Sequence, residues 1–250
     1  MPKIVSVHSF RGGTGKSNTT ANLAGILAAR GLRVGVVDTD IQSPGIHVLF
    51  GLQETQIAHS LNDFLWGKCA IQDAACDVTA AAGSVPGRIF LIPSSINAGE
   101  ITRILREGYD VGLLSDGFQR LLDELQLDIL LIDTHPGLNE ETLLSIAVSD
   151  VLVLILRPDN QDYQGTGVTV EVSRRLRVPQ LLLLVNKAPA SLDPVALQAR
   201  IAQTYSAEVA AVIPHSDDLM ALASAGLFTV KYPDHPVTAI YRQVADLVTR

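Results

Sequence analysis

Three short segments of this 250-residue chain carry side chains that could do chemistry, and each follows or ends an apolar run. The first reads Ser9-Phe10-Arg11-Gly12-Gly13-Thr14-Gly15-Lys16-Ser17, after one apolar run and directly before a helical pattern. Its glycines let the backbone turn tightly, so that N–H groups converge on an anion. A helix opening near Lys16 aims its positive end at the same point. Lys16 is placed to reach outer phosphates, and the Ser17 hydroxyl suits a Mg²⁺ ligand. The second segment, Val34-Gly35-Val36-Val37-Asp38-Thr39-Asp40, ends in two carboxylates that share one side if the strand continues. Taken alone, Asp38 is equally a strand cap and Asp40 the start of a turn. The third, Leu130-Leu131-Ile132-Asp133-Thr134-His135-Pro136-Gly137, brings a carboxylate from a dry wall toward a metal-bound water.

These segments need a scaffold that gathers strand ends along one edge. Near-continuous Val, Ile and Leu without polar alternation marks strands covered on both faces, as in a parallel sheet. Such runs occupy residues 4–8, 34–38, 89–92, 129–133, 151–156, 181–186 and 210–213. Helical patterns lie between them at 17–30, 101–125, 140–149, 165–176 and 194–205, and a last amphipathic stretch covers 237–250. Gly31 stands where the first helix should be capped. Residues 43–87 are less regular and read as helical connections. The alternation predicts an α/β fold over residues 1–250 as a single domain. We expect a doubly wound, mostly parallel sheet of about seven or eight strands with helices on both faces. Open sheets of this kind bind ligands at the carboxyl ends of their strands, where the three segments fall.

Composition narrows the function classes. Hydrophobic residues make up 47% and charged residues 18%, which excludes an intrinsically disordered chain. A net charge of −7 argues against a dedicated nucleic-acid coat. Arg174, Arg175 and Arg177 form the one dense basic cluster, read as a solvated helix face, with nonspecific DNA contact as the other reading. Two cysteines, Cys69 and Cys76, are too few for a disulfide framework or a four-ligand zinc site, and a reducing cytoplasm is the expected compartment. The apolar runs are far shorter than a membrane span, and neither a signal peptide nor a basic membrane-targeting tail is evident.

The loop departs from the usual pattern G-x-x-x-x-G-K-[ST], which needs glycine where this chain has Phe10. Its x-Gly-Gly-x-Gly-Lys-Ser form resembles the deviant Walker A loop of the ParA/MinD family of ATPases. That family opens the loop with a signature lysine that reaches a partner's nucleotide across a dimer interface. Here the position is Arg11, which keeps the charge but exchanges a point charge for a planar fork. Arg11 either acts as a finger in trans or pairs with a local carboxylate. The segments at Asp38–Gly45 and Asp133–Gly137 resemble the family's two switches, with His135 where the second has its first proline. His135 either senses the outer phosphate or fills a hydrogen bond.

The resemblance implies ATP bound by Gly12, Gly13, Thr14, Gly15, Lys16, Ser17 and Asn18, with Mg²⁺ held near Ser17, Asp38 and Asp133. Asp40 would orient the attacking water, and Lys16 and Arg11 would stabilise charge on the transferring group. Asn186, after a buried strand, is placed against the adenine edge and Pro214 on the pocket's other wall. Either is also ordinary loop chemistry. The likeness runs from residue 3 to about 248 and implies an ATP-bound homodimer, a protein partner that stimulates hydrolysis, and a spatial-positioning or partitioning role. A metabolic ATP-dependent ligase on the same fold, or a scaffold that binds nucleotide and hardly hydrolyses it, are the alternatives.

Overall fold

The unalternating apolar runs form one eight-stranded sheet, since strands covered by helices on both sides need no polar face. The computed structural model describes residues 1–250, the side chain of Leu105 excepted. Its strands are β1 (Lys3–His8), β2 (Arg33–Asp38), β3 (Cys76–Asp77), β4 (Arg88–Ile92), β5 (Ile129–Asp133), β6 (Val151–Leu156), β7 (Gln180–Ala188) and β8 (Glu208–Pro214). Their spatial order is β3-β4-β2-β5-β1-β6-β7-β8, parallel throughout except for the antiparallel β3–β4 pair. β1 lies between β5 and β6, so the chain winds outward on both sides of it. The crevice at that reversal is where an open α/β sheet takes a ligand.

The helices are α1 (Lys16–Ala29), α2 (Ile46–Leu49), α3 (Leu61–Leu65), α4 (Ala98–Glu107), α5 (Gly112–Glu124) and α6 (Glu140–Ala147), followed by α7 (Asn160–Arg175), α8 (Pro194–Tyr205), α9 (Asp217–Ala221), α10 (Phe228–Lys231) and α11 (Pro236–Thr249). Alternate strand residues serve opposite faces. Val34, Val36 and Leu131 pack with Leu23 and Leu27 of α1 and Tyr241 and Val244 of α11. Val37, Leu130 and Ile132 pack with Phe64 of α3 and Leu114 and Phe118 of α5. Leu152 and Leu154 meet Val170 of α7 and Leu197 and Ile201 of α8. Among the described residues no helix is long and apolar enough to cross a membrane.

Several boundaries differ from the sequence pattern, each for a local reason. The helix expected over 101–125 is two helices, because Gly108 takes a left-handed φ of +67° and Asp110 Oδ1 accepts from Gly112 N at 2.9 Å to start a new one. The helix expected at 165–176 begins at Asn160, where the Asp159 side chain caps the N–H groups of Gln161 and Asp162. Residues 43–87 hold short helices, as expected, and also β3, a strand too short to leave a pattern. Gly31 ends α1 as expected: its φ is +90°, Gly31 N donates to Ala28 O, and Leu32 N donates to Leu27 O, the paired bonds of a Schellman cap.

Candidate active site

Residues 9–15 must reverse the chain between the end of β1 and the start of α1. Gly13 and Gly15 do so with φ of +74° and +102°. A Cβ on Gly15 would stand 2.5 Å from Asn186 Nδ2, so glycine is required there for space as well as for conformation. The end of β7 fastens the loop from outside. Asn186 Nδ2 donates to Thr14 O at 2.7 Å, and Lys187 Nζ donates to Gly13 O at 2.9 Å. With these carbonyls engaged, the N–H groups of residues 12–18 have no backbone or side-chain acceptor among the described residues. The Thr14 hydroxyl oxygen is likewise buried and without a partner. Unanswered donors around a loop at a helix N-terminus fit a phosphate chain.

Behind the loop lie two facing carboxylates. Asp38 and Asp133 are register partners across β2 and β5, 0% and 1% exposed. Burial, reinforced by the charge of Asp133, pushes the Asp38 carboxyl well above the usual carboxylate range. Burial also lifts Asp133 to about 6, against the opposing hydrogen bond from Ser17 and the charge of Lys16. Asp38 accepts from Asp40 N at 3.1 Å and Gly45 N at 3.2 Å, which ties the second segment to the pair. Thr20 Oγ1 donates to Asp133 Oδ1 at 3.4 Å. Two carboxylates and a hydroxyl are hard oxygen donors suited to Mg²⁺, which commonly takes one or two carboxylates, phosphate oxygens and water. Among the described residues there is no group of three or more His, Cys, Asp or Glu placed to hold a metal ion.

Asp40 stands at the mouth of this arrangement, with its Oδ1 accepting from Ser43 N at 3.2 Å and lying 2.6 Å from His135 Nδ1. A cavity of about 570 Å³ opens between these parts, within the range of small-molecule sites. Gly12, Gly13, Gly15, Lys16, Ser17, Asn18, Asp40 and Asn186, all singled out in the sequence, line it together. Thr14, Asp38 and Asp133 sit buried behind its wall.

Two expected site residues fall elsewhere. Pro214 is exposed at the end of β8 and does not line the cavity. That wall is made instead by Leu219 and Met220 of α9 and by Ala223 and Ser224 after it, because the chain leaves β8 and doubles back through a Ser216-capped turn. Arg11 is also outside the cavity lining. Its Nη1 lies 3.6 Å from Asp162 Oδ1 and 3.7 Å from Asp159 Oδ1, the local-carboxylate alternative. Sequence reading missed Lys187, whose φ of +57° turns its side chain onto the loop, and also Ser43 and Pro136. The basic cluster is partly engaged within the molecule: Arg174 donates to the carbonyls of Tyr205 and Ser206, and Arg175 to Glu171.

Residues 2–179 match a family model described as an AAA domain. An uncharacterized ATP-binding protein of Methanocaldococcus jannaschii is 26% identical over 246 residues, which cover 98% of this chain and 87% of the relative. In fold, the chain is similar to septum site-determining protein MinD of Pyrococcus horikoshii, solved with Mg-ADP. That likeness has a TM-score of 0.81 and 21% identity, covering 100% of this chain and 97% of that one. It is also similar to cobyrinic acid a,c-diamide synthase of Mycobacterium smegmatis, solved with ADP and magnesium, at TM-score 0.76 and 19% identity over 100% and 95% of the two chains.

Proposed function

The chain belongs to the ParA/MinD family of P-loop ATPases, built on the AAA domain matched by residues 2–179, and from that premise we propose that it is a nucleotide-gated switch. It binds and hydrolyses Mg-ATP and cycles between a monomer and an ATP-bound homodimer that positions or partitions a cargo. One observation carries the reading: a single cavity holds unanswered loop N–H groups, Lys16 and Ser17 on one wall and Asp40 on another, with a buried acid pair behind.

In this reading the loop N–H groups and Lys16 bind the phosphates and meet charge as it develops on the transferring group. Ser17, with Asp38 and Asp133, would hold a Mg²⁺ ion, which would supply further neutralisation of phosphate charge. Asp40 orients a water and need not be a strong base, because phosphoryl transfer asks little of one. Asn186 bears on the nucleotide from the far side. Asp38 holds the backbone of Asp40 and Gly45, so a change of charge at the acid pair is felt directly by the segment between them. The homodimer would draw Arg11 off Asp159 and Asp162 to reach the partner's phosphates. A protein partner would stimulate turnover and so time the release of the dimer. Lys16→Ala tests the reading, since its Nζ is the one lysine ammonium expected on the phosphates. Equilibrium binding of a fluorescent ATP analogue should be lost, at least about 100-fold weaker, and unchanged affinity would overturn it.

A ligase on the same fold is favoured by one feature, a second cavity of about 220 Å³ beyond His135, lined by Tyr109, Glu140 and Glu141 among others. The likeness to the diamide synthase supports that reading in fold alone. ATP turnover stimulated by a small carboxylic metabolite, and by no protein or DNA, would favour it.

A further inference from the structure

We infer that His135 is the positioning residue for Asp40, so that the water-orienting carboxylate is aimed by the β5 loop as well as by its own. This deepens the ATPase reading above and rests on it. His135 Nδ1 lies 2.6 Å from Asp40 Oδ1, with the two side chains 22% and 16% exposed, and the contact joins residues 95 apart in sequence. The imidazole with its proton on Nδ1 donates and the carboxylate accepts, an assignment that follows from Asp40 being an acceptor.

The two oxygens of Asp40 are thereby distinguished. His135 and Ser43 N both occupy Oδ1, whereas Oδ2 has no protein donor among the described residues and is the oxygen left for a water. Both side chains line the nucleotide cavity.

An aiming group must itself be fixed, and the backbone around His135 is. Thr134 N and Oγ1 both donate to Val7 O, at 3.3 and 3.1 Å, and Thr134 Oγ1 lies 2.7 Å from His8 Nδ1. On the other side Gly137 N donates to Ser9 O at 3.2 Å, and Thr142 Oγ1 donates to His135 O at 3.3 Å. The histidine therefore hangs from a segment pinned to β1, to the phosphate loop and to α6. It transmits the position of the phosphate loop to Asp40. A proline at this position, the residue of the family's motif, offers no side-chain donor and could not hold the carboxylate in this way. The arrangement is a property of this chain's own substitution.

Steady-state ATP hydrolysis and nucleotide affinity should be measured side by side for the wild type, Lys16→Ala, His135→Ala, His135→Asn and His135→Gln. Asparagine places its amide N–H close to where Nδ1–H stands, and glutamine places its own near Nε2. His135→Ala should lower kcat about 10-fold or more with nucleotide affinity held within about twofold, since only alignment is lost. His135→Asn should recover most of kcat and His135→Gln should not. On an Asp40→Asn background, His135→Ala should cause no further loss. A filler histidine gives a different result: kcat unchanged in His135→Ala, or kcat and affinity falling together with no rescue by asparagine. Either would overturn the inference. A wild type with no Lys16-dependent turnover would overturn the ATPase reading and this inference with it, whereas Lys16-dependent turnover indifferent to His135 would overturn this inference alone.

Discussion

Asp38 and Asp133 face each other at the ends of β2 and β5, fully buried and with no salt bridge among the described residues. Asp159 and Asp162, around the start of α7, are met by two arginines. Arg157 grips Asp162 through Nε at 3.0 Å, Nη2 at 3.3 Å and its backbone N at 2.9 Å, and this pairing raises the arginine's own pKa. Arg11 is the outer cation, at 3.6 and 3.7 Å from Asp162 and Asp159 and with 40% of its side chain exposed. The second pair is answered within the chain and is structural. The first accepts hydrogen bonds but forms no ion pair among the described residues, and such a site gains most from an incoming cation. Arg11 can also leave without stranding a buried charge, because Arg157 stays with Asp162.

That contrast can be broken at either end. The largest expected effect is from Arg157→Ala, which leaves the 3%-exposed Asp162 side chain with the backbone N–H of residue 157 and, as its one cation, the more distant Arg11. Urea unfolding should show a loss of about 3 kcal/mol, and a loss no greater than that of an exposed pair would remove Arg157 as the structural partner. The next is Asp133→Asn. The native Asp133 pKa of about 6 exceeds the usual 3.8, so between these values the native state keeps a proton that the unfolded chain has lost. Stability from this group is therefore present below about pH 4 and lost as pH rises to about 6. The nucleotide-free wild type should lose about 2 kcal/mol relative to Asp133→Asn across that window, and the variant should be the more stable at pH 7. Parallel pH profiles for the two proteins would contradict an unanswered charge.

Much of the site was legible because its signals are short-range. Gly-Lys-Ser after an apolar run and Asp at the end of two others located the phosphate loop and both acids. The strands of the sheet could be read for the same reason, since burial on both faces removes polar alternation. What failed to show depends on contacts between distant residues. Lys187 reaches Gly13 across 174 positions through a left-handed backbone that no pattern announces in a lysine. Arg11 stayed open between two roles because its partners lie at Asp159 and Asp162. Pro214 looked like a pocket wall, but the exposed end of β8 points the chain away and α9 supplies that wall. The Ser216-Asp217-Asp218 start of α9, a cap followed by first-turn acids, was a readable signal. So was the Gly108–Asp110 break between α4 and α5.

In the proposed switch, ATP held opposite Asp40 assembles two copies of this chain. The most direct test is the solution mass of Asp40→Ala with Mg-ATP and with Mg-ADP, since removing the carboxylate proposed to orient the water should trap the ATP state. The account predicts a dimer with ATP, a monomer with ADP, and loss of the ATP dimer when Arg11→Ala is added. A monomer in both nucleotides, with ATP demonstrably bound, would contradict it.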